Sequence, residues 1–217
     1  MTMRWFRVVA VCACVTFVGS VSVAAGTIDT GLLERPWPTQ RIREVEVGRY
    51  QVRCREYASK ADGLFAGVQF TVPRERQAVW KLANDYSDVG AMTPGVTAVR
   101  VIEESPTRRV IQVDVKILWK SLQLNFEMEQ EPPNAVRFRL ANKAFGEYHG
   151  ICTFQEGSKP MSTTVDLATW FKPSRPVPMR LLVIVQRVAM LRGTKEFLRA
   201  CESNASKRSN RPAAHSP

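Results

Sequence analysis

The sequence predicts an α+β fold, a curved antiparallel sheet wrapped around a long C-terminal helix. Three observations predict it. Four segments between Val110 and Phe171 alternate apolar and polar residues. Turn-forming residues separate these segments. A single apolar-faced helical stretch then follows. In a strand, successive side chains point to opposite faces, so a period of two means one dry face and one wet face. Antiparallel sheets show that alternation cleanly, whereas buried parallel strands read as unbroken apolar runs.

Taken in chain order, residues 45–47 read as a short strand. Residues 50–57 and 64–72 form a hairpin across Lys60-Ala61-Asp62-Gly63, because Asp-Gly favours a tight turn. Pro73 ends that strand and suits the first turn of a helix over 74–85, with Val79, Trp80, Leu82 and Ala83 inward. Residues 86–96 hold Ser87, Asp88, Gly90, Pro94 and Gly95, which suit a loop or a short helix. A strand over 97–103 comes next. The following strand, 108–119, carries Ile111, Val113, Val115 and Ile117 on one face. Strand 122–131 carries Leu122, Leu124, Phe126 and Met128, and strand 135–142 carries Val136, Phe138 and Leu140. Strands 147–155 and 163–172 complete the set, the last with Val165, Leu167, Thr169 and Phe171 on one face. Glu131-Pro132-Pro133-Asn134 cannot continue a central strand, and Gln155-Glu156-Gly157-Ser158 reads as a hairpin turn. Pro173, Pro176 and Pro178 break the pattern before a helix over about 177–201. Its predicted inner face holds Leu181, Val185, Val188, Leu191 and Leu198, widened by Ile184 and Phe197, with Arg180, Arg187, Arg192 and Lys195 off it.

The ends of the chain read differently. Residues 1–25 have the layout of a secretory signal peptide: Arg4 and Arg7 without an acid, an apolar run from Val8 to Val18, then Val23-Ala24-Ala25. The run is short for a membrane span of about 20 residues. Cleavage near Ala25 would give an exported protein, periplasmic or secreted; without cleavage the segment would be an anchor. Residues 26–60 form an arm with the first strands, its start packing irregularly through Leu32, Leu33 and Trp37. Residues 61–202 make one domain with one core. Residues 203–217 are polar and basic and are expected to be disordered.

Composition narrows the chemistry. The 31 basic and 20 acidic residues give +11, and losing Arg4 and Arg7 would leave +9. That balance suits peripheral contact with an anionic membrane surface. Arg137 and Arg139 would fit a nucleic-acid stripe, but export argues against such a partner. Cys54, Cys152 and Cys201 would remain after cleavage. An oxidising compartment permits one disulfide among them, with the pair left open. Their spacing does not suit a metal, and the only histidines are His149 and His215, so neither metal nor cofactor is expected.

The order strand, helix, six strands, long helix is that of the helix-grip fold. Phe70-Thr71-Val72-Pro73, Val79-Trp80, Leu82, Asp85-Tyr86, Pro94, Val96 and Val99 resemble the opening of the START-like superfamily. That superfamily includes polyketide cyclase/dehydrase-like and coenzyme Q-binding proteins. Gly146-Glu147-Tyr148-His149-Gly150 resembles the strand motif before its last hairpin. Pro176-Val177-Pro178 and Leu191-Arg192 resemble its C-terminal helix. The resemblance covers roughly residues 64–202.

It implies an apolar cavity between sheet and helix, lined by Ile111, Val113, Val115, Leu124, Phe126, Phe138, Tyr148, Leu167, Thr169, Leu181, Val185 and Val188. Tyr148 and Thr169 would offer hydrogen bonds to one polar head, or bond each other and the backbone. Tyr86, Met92 and Pro94 would gate the mouth. His149, one residue out of phase with Tyr148, should face solvent, and Asp114 sits on the wet face. Trp119 and Trp170 would line an entrance or a core edge. The reading that follows is an exported carrier of a lipid, isoprenoid or quinone-like molecule. An enzyme of cyclase or dehydratase type, with Tyr148 or Asp85 as acid/base groups, is the alternative. No set of catalytic residues matches it. A filled-core interaction module is the third reading.

Overall fold

The computed structural model describes residues 27–34, 37, 41–85, 95–117, 120–142 and 145–209. Among them are helix α1 (Gly31–Glu34), strands β1 (Arg41–Val47), β2 (Tyr50–Ser59) and β3 (Gly63–Val72), and helix α2 (Arg76–Ala83). Strands β4 (Val96–Glu104), β5 (Arg108–Ile117), β6 (Lys120–Glu131), β7 (Ala135–Leu140), β8 (Gly146–Glu156) and β9 (Thr163–Pro173) follow, then helix α3 (Met179–Ser209). The nine strands form one sheet in the order β1-β2-β3-β9-β8-β7-β6-β5-β4. Every neighbouring pair is antiparallel. The expected architecture is the observed one.

Register sorts the concave face into rows. Phe70, Val165 and Phe154 stand opposite one another across β3, β9 and β8. The next row runs Cys54, Val68, Leu167, Cys152 and Val136 from β2 to β7. These two rows hold bulky apolar side chains. They form the main core with Val52, Val72, Val79, Trp80, Met190, Leu198 and Cys201. Trp80 of α2 meets Phe154 edge-on, with centroids 5.4 Å apart. One end of the sheet is therefore filled by α2 and the C-terminal half of α3.

The convex face is apolar at its centre, and the N-terminal arm covers it. Leu33 and Trp37 pack with Phe65, Ile151, Ala168 and Trp170. Trp37 fits because Gly67 offers no side chain: a Cβ there would lie 3.2 Å from the indole. The Arg55 guanidinium stacks 5.2 Å above that indole and pairs with Asp166 beyond it. Leu32, expected inward, is 51% exposed, because one turn of helix has only one face to give the sheet.

Three further expectations change. The helix α3 runs to Ser209, past the point where a disordered tail was expected, because residues 203–209 contain no Gly or Pro to stop it. Cys54, Cys152 and Cys201 are all free thiols. Cys54 and Cys152 share one row but stand three strand spacings apart, roughly 14 Å. A disulfide needs Cα atoms within about 7 Å. Third, the first turns of α3 present a different face to the sheet, while Leu191, Leu198 and Phe197 pack inward as expected. Val183, Arg187 and Met190 line its seam with Cys54, Glu56, Leu64, Ala66 and Val68. Val185 and Val188, assigned to the inner face, are 52% and 44% exposed. At 100° per residue they lie opposite Val183 and Met190. The cause is visible in the sequence: residues 181–185 are apolar all round the helix, so periodicity alone leaves its rotation open.

Trp37→Ala should cost about 3 kcal/mol in urea unfolding, as loss of a buried tryptophan does. A change within 0.5 kcal/mol would show that the arm does not stabilise the sheet.

Candidate functional site

Beyond the filled end, the rows change character. The third row reads Glu56, Ala66, Thr169, Gly150, Phe138 and Met128. Its centre is made of small residues. In the fourth, Leu64, Phe171 and Tyr148 stand opposite one another, and farther along Leu140, Phe126 and Ile111 do the same. Phe126, Phe138, Tyr148 and Phe171 interlock as an aromatic floor. Centroid separations are 6.5 Å for Phe126–Phe138, 6.1 Å for Phe126–Tyr148 and Phe138–Tyr148, and 5.9 Å for Tyr148–Phe171. All four rings are only half-buried.

The helix explains why. Its backbone runs chiefly beside β3, β2 and α2. The seam it makes there is tight, with about 20 Å³ of free space, room for a water. The aromatic floor lies across β6 to β9, to one side of this seam. Ile111 and Val113 are buried there, and Val115, Leu124 and Leu167 are half-buried. So Ile111, Val113, Val115, Leu124, Phe126, Phe138, Tyr148, Leu167 and Thr169 do share the concave face. Val185 and Val188 do not, and Leu181 falls on their side of the helix. Tyr86, Met92, Pro94 and Trp119 lie outside the described residues.

Two polar contacts tie α3 to the floor, and the sequence reading missed both. Gln186 Nε2 donates to Thr169 Oγ1 at 3.2 Å, and Thr169 Oγ1 donates to the Ala66 carbonyl at 3.2 Å. Tyr148 interacts with both Gln186 and Thr169. Burial pushes its hydroxyl pKa up, and those two hydrogen bonds pull it part of the way back. The Arg187 guanidinium pairs with the Glu56 carboxylate, Nε to Oε2 at 3.0 Å. Gln186 and Arg187 look like solvent residues in a sequence. Only the helix rotation turns them inward.

Gly150 shapes the floor directly. A Cβ there would sit 2.0 Å from the Phe138 ring, so that ring lies flat on the glycine backbone. The Phe138 ring thus takes the space that any side chain at position 150 would need.

On the other face, Trp170 is buried and its Nε1 donates to the Asp62 carbonyl, so it lines no entrance to the floor. His149 points the way its phase predicts but is not in open solvent. It is half-buried beneath the arm, 5.5 Å from the Trp170 ring. Burial lowers its pKa; Glu147 and Asp29 oppose that shift, and Arg139 adds to it. Asp114 lies on the wet face and pairs with Arg100 at 3.0 Å. Asp85 is exposed at the end of α2. No group of His, Cys, Asp and Glu among the described residues is arranged to hold a metal.

Comparison with known proteins agrees with this geometry. Residues 72–198 match the family of polyketide cyclase/dehydrase and lipid transport proteins. No curated protein matches. Among solved structures, human STARD10 superposes with a TM-score of 0.64 at 8% identity, covering 85% of this chain and 84% of that one. The STAR-related lipid transfer protein of Xanthomonas axonopodis gives 0.57 at 14%, covering 75% and 98%. The Zhui aromatase/cyclase of Streptomyces sp. R1128 gives 0.55 at 16%, covering 69% and 97%.

Two outcomes test the site. Gly150→Ala should displace Phe138 and cost about 1–3 kcal/mol; an unchanged urea midpoint would mean the ring is free to move aside. For His149 the folded pKa lies below the ordinary 6.5. The unfolded chain therefore takes up this proton first, and stability falls as pH drops below 6.5. His149→Gln should flatten that part of the stability–pH curve, and an identical curve would contradict the burial of the ring. Fold, sheet order and family match agree: the chain belongs to the polyketide cyclase/dehydrase and lipid transport family.

Proposed function

We infer that this protein binds and carries a hydrophobic small molecule, a lipid, isoprenoid or quinone-like compound, on the aromatic floor. One observation carries the reading: a continuous apolar surface on the concave face that α3 leaves half-covered while it packs tightly elsewhere. Exposed apolar area of this kind gains about 25 cal/mol per Å² when a ligand covers it, before ordering costs. Phe126, Phe138, Tyr148 and Phe171 would hold the apolar body of the ligand. The Tyr148 hydroxyl, with Gln186 and Thr169, would take its single polar group, the arrangement usual in ligand sites.

The lipid-transfer and cyclase proteins of the same fold support the class of ligand. Between carrying and catalysis, the electrostatics favour carrying. A general acid or base works best with a pKa near the operating pH. Burial drives Tyr148 away from neutrality instead. Asp85, the other candidate, is exposed just beyond the end of α2. An exported, periplasmic or secreted setting belongs to this reading and rests on residues 1–25 alone.

Native mass spectrometry of the protein as purified from cells, followed by solvent extraction, tests the reading. A stoichiometric lipid-like adduct is expected. A bare chain that also takes up nothing from a total-lipid extract would overturn it. Tyr148→Phe should weaken retention about fivefold, the value of one hydrogen bond. Full retention would remove Tyr148 as the polar anchor.

A further inference from the structure

The outward face of α3 is out of keeping with a water-facing surface. Ile184 and Val185 are 53% and 52% exposed, and Val188 is 44% exposed. At 100° per residue these three cluster with Leu181 on the side opposite Val183, Met190 and Thr194. They form one continuous apolar patch over two turns. A single exposed apolar residue needs no explanation, but a contiguous patch on an otherwise polar surface marks a contact site.

The charge around the patch identifies what it contacts. From residue 167 to residue 195 there is no Asp or Glu, while Lys172, Arg175, Arg180, Arg187, Arg192 and Lys195 all fall there. Arg187 is turned inward to Glu56. Arg175, Arg180, Arg192 and Lys195 are exposed, and among the described residues none of them has an ion-pair partner. Arg180 precedes the patch and Arg192 and Lys195 follow it. A second copy of this chain would bring like charge against like charge. An acidic protein would satisfy the arginines but has no need of a flat apolar strip along a helix axis. An anionic bilayer satisfies both, because acyl chains take the apolar strip and phosphates take the guanidinium and ammonium groups. No described helix is long and apolar enough to cross a membrane, so the contact would lie in the interface plane.

We propose that the outward face of α3, Leu181, Ile184, Val185 and Val188 flanked by Arg180 and Arg192, docks on an anionic lipid bilayer. The patch belongs to the half of α3 that also carries Gln186 and Arg187, so docking would place the membrane next to the floor. The surface stands whether or not the floor holds a ligand.

The test places a polarity-sensitive dye on Val188→Cys in the full chain, with Cys12 and Cys14 changed to Ser. Selective labelling is feasible because burial pushes the thiols of Cys152 and Cys201 up to about 12 and about 11, and raises that of Cys54. With phosphatidylglycerol vesicles the dye should shift to the blue. The same dye on Thr71→Cys, on the convex face, should not shift. Phosphatidylcholine vesicles should give no shift, and Arg180→Glu with Arg192→Glu should weaken the phosphatidylglycerol response at least tenfold. An unshifted dye at position 188 overturns the proposal, as does an equal shift on phosphatidylcholine. A shift that appears without vesicles and grows with protein concentration would place a second copy on this face and overturn it as well. Native mass spectrometry of the same variants reads ligand content separately, so an empty floor and a non-docking helix are told apart.

Discussion

The alignment of β2, β3, β9 and β8 governs the rest of this molecule. It places Cys54, Val68, Leu167 and Cys152 in one row and Glu56, Ala66, Thr169 and Gly150 in the next. The first row is bulky enough to seat the C-terminal half of α3. The second is too small to fill the space beside it, and Phe138 folds down onto Gly150. The tight core and the open floor are thus adjacent consequences of one register. A slip of one residue would exchange concave and convex faces in the slipped strand. It would bury Arg53, Arg55 or Gln69 and expose Val68 and Phe70.

Different forces hold the register at the two ends. Near α2 and the end of α3, apolar packing holds it. Toward β5, β6 and β7 the helix gives little support, and a convex charge cluster stands there. Glu127 of β6 is 4% exposed. Arg108 of β5 reaches it at 2.9 Å and Arg139 of β7 at 2.7 Å. A buried ion pair adds little net stability over an apolar pair, but an unpaired buried carboxylate costs roughly 3–5 kcal/mol. The cluster therefore penalises a wrong register more than it rewards the right one. This lets the concave side of the same strands remain half-covered without losing alignment.

This division shows what the sequence could disclose. Strands were legible because alternation is local: Ile111 to Ile117 and Leu122 to Met128 announce their faces without knowing their neighbours. Turns were legible through Asp62-Gly63 and Pro132-Pro133. The floor residues followed from phase. The orientation of the first turns of α3 was not legible, since Leu181 to Val185 are apolar on every side and either rotation buries something; farther along, Leu191, Leu198 and Phe197 face inward as their spacing predicts. Gln186 and Arg187 were missed for the same reason. Their partners, Thr169 and Glu56, lie 17 and 131 residues away in the chain, and nothing local announces them. The covered convex face escaped because Gly67 reads as an ordinary strand glycine until Trp37 is seen to occupy its empty side.

The two halves of α3 differ in what it takes to part them from the sheet. Freeing the stretch from Met190 to Cys201 exposes Met190, Leu198 and Cys201 together with the core they close. Freeing the N-terminal half breaks the Gln186–Thr169 and Arg187–Glu56 contacts. Water replaces such polar contacts at a net cost of about 0.5–1.5 kcal/mol for a neutral hydrogen bond and about 1.5–3 for a charged one. Buried apolar side chains lose more than that each, so the seam is weakest beside the floor. Local opening there lies well below global unfolding in free energy. The end of the helix beside the floor is fastened by polar contacts, and the end over the filled core is fastened by apolar ones.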